Sequence, residues 1–261
     1  MNIRKFLCVN KFINAAEISI GVLAWIWLRC IGSRRVVLLA YHSISYSPWI
    51  HAVSPELFSL QMNWLKKYTK PIPVSEALVT ARSGQIFMRR PIVGITFDDG
   101  YADWIEHAGP ILQSHLLPAT FFVVTSFTLV TSVPQIGLSP MQPELVSKLS
   151  SQGFTIGSHT HLHHDLSNCS DTELVNELTR SRNILEHLTG KNVSELSYPK
   201  GRFRASSFSI VEQSGYKLAV AGHGSVTYGV PIYAIPRLPI TKDVSFRLFR
   251  ARVLRLAAWG F

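Results

Sequence analysis

The sequence predicts an α/β protein, a distorted (β/α)7-type barrel of seven parallel strands with helices outside. Short apolar runs rich in Val, Ile and Phe alternate along the chain with stretches that carry helix start signals, an order typical of parallel sheets. Polar residues follow several of these runs, at the end where α/β barrels carry their active sites. The 261 residues, 47% of them hydrophobic, suit one barrel of about 250 residues. An open doubly wound sheet is the alternative.

Seven apolar runs are short and contain the β-branched and aromatic residues that buried parallel strands favour. These predicted strands lie at residues 36–41, 92–97, 119–124, 154–158, 195–198, 217–221 and 233–238. The predicted helices between and after them lie at 58–68, 102–116, 142–152, 171–188, 206–214 and 245–258. Ser54 and Pro55 open the first of these helices, and Ser170 with Glu173 forms a capping box before the helix that Gly190 ends. The irregular segment 127–140 is expected to border a substrate groove.

The beginning of the chain is predicted to form a helix at a membrane surface. Basic residues precede an apolar stretch at 12–28, which Glu17 interrupts. Its uncharged part, 18–28, is shorter than the ~20 residues that span a bilayer. Trp25 and Trp27 suit a helix that lies in the membrane interface. A signal anchor and an ordinary packing helix are the alternatives.

The charge balance favours an anionic partner. The 26 Lys and Arg residues exceed the 16 Asp and Glu residues, for a net charge of +10. No nucleic-acid-binding motif is present and much of the excess lies near the chain ends, so a membrane surface is favoured over nucleic acid. We divide the chain into an N-terminal element at 1–35 and a larger domain at 36–261, and expect a membrane-associated protein on the cytoplasmic face or in the cell envelope. Cys8, Cys30 and Cys169 form no CxxC pair and predict free thiols.

Two adjacent carboxylates, Asp98 and Asp99, end the run at 92–97 and precede Gly100. Asp-Gly is a common turn pair, so the motif by itself also fits a structural turn. Burying unpaired carboxylates is costly, and a metal ion beside one of them would offset that cost. In a metal site, Asp99 can supply a ligand and Asp98 a base.

Four histidines crowd into six consecutive positions: His159, His161, His163 and His164. If the segment forms a helical turn, the i, i+4 spacing places His159 and His163 on one side, able to share a metal. A plain polar loop is the alternative. His161 and His164 are expected to be exposed or to lie behind the ligands, and Asp165 to cap a turn or orient a ligand imidazole.

Every one of these candidates follows a predicted strand. Lys200 and His223 also do so, after 195–198 and 217–221. Parallel strands bring their C-terminal ends to one mouth of a barrel, so these side chains are expected to meet there. The sequence therefore indicates a metal-dependent hydrolase.

Three motifs carry a family resemblance: Thr-Phe-Asp-Asp-Gly at 96–100, Ser-His-Thr-x-x-His at 158–163 and Tyr-Pro-x-Gly at 198–201. In this order and spacing they resemble the polysaccharide deacetylases of carbohydrate esterase family 4, the NodB-homology domain. The resemblance runs from about residue 36 to about residue 240, and it implies a barrel of the glycoside hydrolase/deacetylase type.

The resemblance implies hydrolysis of N-acetyl groups on N-acetylhexosamine units of a polysaccharide or a lipid-linked glycan. It implies one divalent metal, zinc in the first place, with cobalt, nickel or iron as alternatives, held by Asp99, His159 and His163. Asp98 would be the general base. The backbone N–H of Lys200 would stabilise the oxyanion.

The remaining site residues follow from the same resemblance. Tyr198, Pro199, Gly201 and His42 are assigned to substrate binding. The Leu-x-His segment that usually supplies the general acid is not evident. His223 and His42 lie at the ends of predicted strands and could each serve, and His223 is assigned as the acid because glycines flank it.

The third motif departs from the family in two ways, since Ser197 stands where an arginine is frequent and Lys200 where a tyrosine is frequent. The Asp-x-x-Asp-Trp segment that usually pairs with that arginine is also absent, and Arg237 is the candidate replacement. Two other functions therefore stay open. One is a small-molecule amidohydrolase acting on a non-peptide C–N bond, and the other is an inactive glycan-binding or assembly protein with the same barrel.

Overall fold

The computed structural model describes residues 3–32, 35–83, 89–129, 137–227 and 229–260. In this part of the chain the strands are β1 (Val36–Tyr41), β2 (Ser43–Ile44), β3 (Ala52–Val53), β4 (Lys70–Pro71), β5 (Ile92–Phe97), β6 (Thr120–Val123), β7 (Thr155–Ser158), β8 (Glu195–Ser197), β9 (Leu218–His223) and β10 (Ile235–Pro239). The α-helices are α1 (Ile3–Cys30), α2 (Pro55–Tyr68), α3 (Val74–Ser83), α4 (Gly109–His115), α5 (Pro143–Ser151), α6 (Asp171–Thr189), α7 (Phe208–Gln213) and α8 (Phe246–Trp259).

Seven of these strands form a closed parallel barrel, which confirms the predicted fold class. The ring runs β1, β5, β6, β7, β8, β9, β10 and returns to β1. Closure depends on β1, which pairs with β5 along its whole length and with β10 at Leu39 and Ala40. Because both edges of β1 are paired, the open doubly wound sheet is wrong. The ring is distorted, since β10 changes register between Ile235 and Arg237.

Successive side chains of each strand point to opposite faces of the sheet, and this divides the core into two layers. One set of residues packs between the barrel and its outer helices, and includes the stacked rings of Phe97 and Phe121. The other set fills the barrel interior with residues such as Leu38, Phe122 and Val220. Gly157 makes room for this filling, because a Cβ there would overlap the Phe122 ring.

The residues predicted to begin and end helices do so in the structure. The Ser54 side chain accepts a hydrogen bond from the backbone N–H of Leu57 at the start of α2. Ser170 and Glu173 form the reciprocal capping box of α6, and Gly190 ends that helix with a left-handed conformation. These ends form because capping satisfies backbone groups that a helix terminus leaves unpaired.

Two helical segments differ from prediction. The predicted helix 102–116 begins as a π-helical turn, Trp104–Ala108, before α4. Pro110 lacks the N–H that a regular α-helix would donate to the carbonyl four residues earlier. Helix α3 was not predicted, although its buried residues at i, i+3, i+4 and i+7 mark one apolar face: Val74, Ala77, Leu78 and Ala81. That face joins the cluster that fills the barrel.

The N-terminal helix α1 packs on the outside of α8. Gly21 permits the contact, since a Cβ there would lie 2.6 Å from Ala251. Glu17 pairs with Arg252 at 3.2 Å and with Arg255 at 3.8 Å. Within the described residues, no helix has the combined length and apolarity that crossing a membrane needs.

Two predictions fall partly outside the described residues. In the predicted groove segment 127–140, residues 130–136 are not described, and Phe127–Leu129 forms a short 3-10 turn. Cys30 and Cys169 are free thiols, while the Cys8 side chain lies outside the described part.

Candidate metal centre and active site

The polar side chains gather at one mouth of the barrel because successive side chains of a strand point alternately into the barrel and away from it. Every second residue of a strand is directed into the barrel. Toward the C-terminal ends of the strands, these inward positions are occupied by His42, Asp98, His159 and Arg237. The guanidinium of Arg237 lies 5.7 Å above the ring of Phe122, so the apolar filling ends where the polar site begins. The C-terminal ends of the strands thus form the floor of the site, as in other α/β barrels.

Three predicted metal ligands converge. One ligand atom each from Asp99, His159 and His163 lies within 4.8 Å of the other two. The Nε2 atoms of both histidines are 3.4 Å from Oδ1 of Asp99. The second oxygen of Asp99 accepts a 2.8 Å hydrogen bond from the hydroxyl of Tyr101, which fixes the orientation of the carboxylate.

This donor set fits a divalent metal ion. The Nδ1–H of His159 donates to the backbone carbonyl of Ser197 at 2.8 Å, so its Nε2 atom faces Oδ1 of Asp99. These two atoms repel unless a cation lies between them, either a proton on Nε2 or a metal ion. One carboxylate and two imidazoles form an N/O ligand set that suits zinc and related ions and leaves coordination positions open.

The pKa shifts of these ligands follow from burial and from one another. Burial raises the pKa of Asp99, but the adjacent imidazoles, His159 first, outweigh it and leave the pKa well below its usual range. Burial lowers the pKa of His159, but Asp98 and Asp99 leave it raised. For His163, burial and the neighbouring His159 lower the pKa to about 4, so its ring is neutral near pH 7, as a ligand must be.

The predicted helical turn at the histidines is wrong. Thr160 and His163 have φ angles of +69° and +61°, so the segment bends back and does not wind. Glu177 supports the bend by accepting hydrogen bonds from the backbone N–H groups of His161 and Leu162. The two ligand rings still lie 5.0 Å apart, because the bend brings them together where a helix was expected.

Left-handed backbone conformations concentrate at the site. Of the described non-glycine residues with positive φ, four lie here: Asp99, Thr160, His163 and Lys200. Such conformations cost of order 1–3 kcal/mol each and are typical of functional sites. The packing of the barrel mouth therefore holds these residues in conformations that the local sequence disfavours.

Asp98 is bound on both oxygens by Arg237. The two terminal nitrogens of the guanidinium donate to Oδ1 and Oδ2 of Asp98 at 2.8 and 2.6 Å. The same arginine also donates to Ser197 and Thr96 at 2.9 Å. Burial would raise the pKa of Asp98, but Arg237 and His159 leave it lowered, so the carboxylate is ionised at neutral pH.

The small side chain of Ser197 matters for this arrangement. Its hydroxyl donates to Oδ2 of Asp98 at 3.3 Å and accepts from Arg237. Ser197 stands where the sequence resemblance implied an arginine, and Arg237 reaches Asp98 from β10 instead. The structure thus brings the candidate replacement for the missing arginine into direct contact with the predicted base.

A cavity of about 400 Å³ opens above these groups. Four other predicted residues line it: His42, Lys200, Gly201 and His223. Tyr198 and Pro199 are not brought to it, because both are buried below and the Tyr198 ring stacks on Phe203 at 5.2 Å. Gly201 comes close to β9, since a Cβ there would lie 3.0 Å from Gly222.

The other polar residues of the histidine segment have structural partners. His161 is buried and hydrogen-bonded to Thr125 at 2.8 Å, so it does not take the exposed position, which was one of the two expected for it. His164 is exposed, 3.5 Å from Glu177. Asp165 accepts hydrogen bonds from Ser167 and Arg202, whereas the backbone carbonyl of Ser197 orients the ligand His159.

Sequence reasoning missed one wall of the cavity. Trp49 and His51 line it beside His42, with ring centroids 5.7 and 4.7 Å from that of His42. Trp49 also packs on Tyr101 at 5.6 Å. These two residues lie in the connection between β2 and β3, where no strand end marks them. An aromatic residue and a second histidine soon after His42 were the available signals.

Comparisons with known proteins agree with this geometry. Residues 87–219 match a family model described as polysaccharide deacetylase. The chain is 26% identical over 210 residues to the poly-β-1,6-N-acetyl-D-glucosamine N-deacetylase of Staphylococcus aureus, covering 77% of this chain and 71% of that protein.

Two solved structures share the fold. The deacetylase PplD of Streptococcus pyogenes, in complex with acetate, has a TM-score of 0.73 at 24% identity, covering 85% of this chain and 98% of that one. IcaB of Ammonifex degensii has a TM-score of 0.74 at 22% identity, covering 86% and 98%. At these identities the likeness concerns the barrel itself.

Proposed function

This chain belongs to the polysaccharide deacetylase family, in agreement with the enzyme class expected from its sequence, and we propose that it deacetylates a polymer of β-linked N-acetylglucosamine. The observation that carries the proposal is the position of Asp98. An ionised, oriented carboxylate lies beside a converging ligand set of Asp99, His159 and His163 at the floor of one open cavity.

The protein's own groups account for the proton transfers of amide hydrolysis. A divalent ion held by the three ligands would supply Lewis acidity, which polarises the acetamide carbonyl and acidifies a water molecule. Asp98 accepts the proton that this water loses when its oxygen bonds to the carbonyl carbon. Arg237 keeps Asp98 ionised and fixes its direction through two hydrogen bonds. The C–N bond then breaks, and acetate and a protonated amine leave.

The leaving amine needs a proton donor, and we assign it to His42 in preference to His223. The charge of His42 is among the influences that lower the pKa of both Asp98 and Asp99, so its ring lies within electrostatic range of the reacting centre. Its Nδ1 is buried without a hydrogen-bond partner among the described residues. His223 is exposed at the end of β9 and is the second candidate. The backbone N–H of Lys200 remains the proposed oxyanion donor.

Zinc is the proposed metal. One carboxylate and two imidazoles with open positions form a ligand set typical of catalytic zinc, although cobalt, nickel and iron bind the same donors. Tyr101 and the backbone carbonyl of Ser197 hold the ligands from behind, as the outer groups of metal sites do.

The substrate assignment is supported by the named activity of the Staphylococcus aureus relative and by the aromatic wall of the cavity. Trp49 and His51 line the cavity, and aromatic side chains of this kind can pack against a sugar ring. A lipid-linked glycan is the second candidate, favoured by the apolar and basic outer surface of α1. The alternative of an inactive binding protein loses one of its supports, because Arg237 contacts Asp98 in place of the missing arginine.

Metal stoichiometry followed by a substrate screen tests the proposal. The purified protein should bind about one zinc ion, and the variant His159→Ala/His163→Ala should bind none, since two of three ligands are lost. His164→Ala is the matched control, because this exposed histidine lies outside the ligand set, and it should keep its metal.

Acetate release should then be measured with β-1,6- and β-1,4-linked N-acetylglucosamine oligomers and with small cyclic and linear amides. Release from the sugars alone supports the assignment. Release from the small amides alone would replace it with the amidohydrolase. Full metal loading with no release from any substrate would favour a binding protein.

A further inference from the structure

The second half of α1 presents an apolar surface to solvent. Five large hydrophobic side chains here are each between 41 and 59% exposed: Val22, Leu23, Trp25, Ile26 and Trp27. Ile31, directly after the helix, is 44% exposed and extends the surface. We call these six residues the α1 outer face. An exposed apolar patch of contiguous residues on a soluble domain is typical of an interaction site.

The α1 outer face is a consequence of how α1 packs. Gly21 lies against Ala251, and Trp27 packs edge-on to Trp259, so α1 and α8 run in the same direction. The buried side of α1 carries Ala24 and Leu28, one turn apart, and faces α8. Since α8 already covers the barrel, α1 forms an additional outer layer, and its opposite side has no described element against it.

Positive charge surrounds this face. Arg29 lies over the ring of Trp25 at 5.7 Å, and Arg247 and Arg250 are exposed on the adjoining helix α8. Among the described side chains, no carboxylate lies within 4 Å of these three guanidinium groups. Glu17, the acidic residue in the described part of α1, is turned toward α8 and engaged by two other arginines.

A groove between α1, α2 and α8 continues the α1 outer face. Its volume is about 520 Å³. Val22, Trp25 and Trp64 contribute apolar lining, whereas Arg247 and Arg250 contribute positive charge. Apolar lining with cationic groups beside it matches an amphiphile that has an acyl chain and an anionic headgroup.

We propose that the α1 outer face and the adjoining groove dock on an anionic phospholipid bilayer. The apolar side chains enter the headgroup region, where tryptophan is favoured, and the arginines contact lipid phosphates. A second copy of the chain fits less well, because a symmetric contact through this face would bring like-charged arginines together. The proposal goes beyond deacetylation and does not depend on it.

Vesicle sedimentation with the full chain tests the docking surface. The protein should bind vesicles of phosphatidylcholine with about 30% phosphatidylglycerol, bind pure phosphatidylcholine far more weakly, and lose affinity as salt rises. Each basic residue at the surface contributes about fivefold, so Arg29→Gln/Arg247→Gln/Arg250→Gln should weaken binding about 100-fold. Leu23→Gln/Ile26→Gln should weaken it about tenfold or more, because less apolar area is buried.

Val79→Gln/Val175→Gln is the matched control. These valines are exposed on α3 and α6, away from the α1 outer face, and the control should bind vesicles as the parent does. Metal content and thermal unfolding check that each variant is folded. Equal binding by the parent and the apolar double variant would overturn the proposal, as would equal binding to both vesicle types. A dimer in sedimentation velocity that the apolar double variant dissociates, without any vesicle binding, would assign this face to a second copy.

Discussion

Replacing Arg237 by glutamine should move the acid limb of the pH–rate profile toward higher pH. In the parent, the guanidinium lowers the pKa of Asp98, so this carboxylate stays ionised as the pH falls. Without the positive charge, the effect of burial dominates and the pKa of Asp98 rises. The base is then protonated at a higher pH, and kcat/KM declines earlier on acidification.

The geometry of the contact between Arg237 and Asp98 determines how strongly the acid limb responds. Two nitrogen–oxygen distances of 2.6 and 2.8 Å correspond to charge centres about 4 Å apart, which at an effective dielectric constant near 20 interact by about 4 kcal/mol. Because His159 remains and water can enter, the loss felt by the carboxylate is smaller than this full interaction, and we expect a clear displacement of the acid limb toward higher pH. Leaving a buried carboxylate unpaired should also cost about 3–5 kcal/mol of stability.

The assay is acetate release from an N-acetylglucosamine oligomer between pH 4 and pH 9, with metal content measured beside it. Arg237→Lys keeps the positive charge but loses the bidentate hydrogen bonding to Asp98, so its acid limb should move less than that of Arg237→Gln. Arg202→Gln is the control, because Arg202 pairs with Asp165 outside the cavity, and its limb should not move. An unchanged limb in a folded, metal-loaded Arg237→Gln variant would refute the role of the ion pair.

Three further changes test other parts of the structure. Asp98→Asn should lower kcat by about 10²–10⁴-fold with metal retained; full activity would exclude Asp98 as the base. His42→Ala should lower kcat more than His223→Ala does, with metal retained in both, and the reverse order would return the proton donor to His223. Burial raises the pKa of Glu195 to about 7, so folding favours its protonated form and that stabilisation is lost as pH rises from about 4.5 to 7. Between those limits the unfolding free energy of the parent should fall by about 3 kcal/mol relative to Glu195→Gln, and parallel pH curves in urea unfolding would contradict this.

Features with a local cause were predictable from the sequence. Helix ends at Ser54, Ser170 and Gly190 depend on hydrogen bonds to residues within one turn, so a short sequence window contains both partners. The convergence of the candidate metal ligands was predictable for a related reason. Parallel strands place every C-terminal end at one mouth, so the position of Asp99 and His159 just after a strand was enough to bring them together.

Other features depended on conformations that local patterns do not encode. The spacing of His159 and His163 fits a helical turn, but the chain bends through left-handed residues instead. Glu177 on α6 stabilises that bend by accepting two backbone hydrogen bonds. Helix α3 is the opposite case, since its apolar spacing was present in the sequence and was missed.

The sequence by itself determined the fold class, the family and the group of Asp99, His159 and His163 that can hold a metal ion, because these depend on strand periodicity and on short motifs. Only the tertiary structure decided that Arg237, 139 residues from Asp98, binds this carboxylate, since the contact exists only when β10 closes the ring against β1. The tertiary structure also decided which side of α1 is exposed. The apolar stretch was plain in the sequence, but burial of one side depends on α8, which lies at the other end of the chain and packs against α1 in the folded structure.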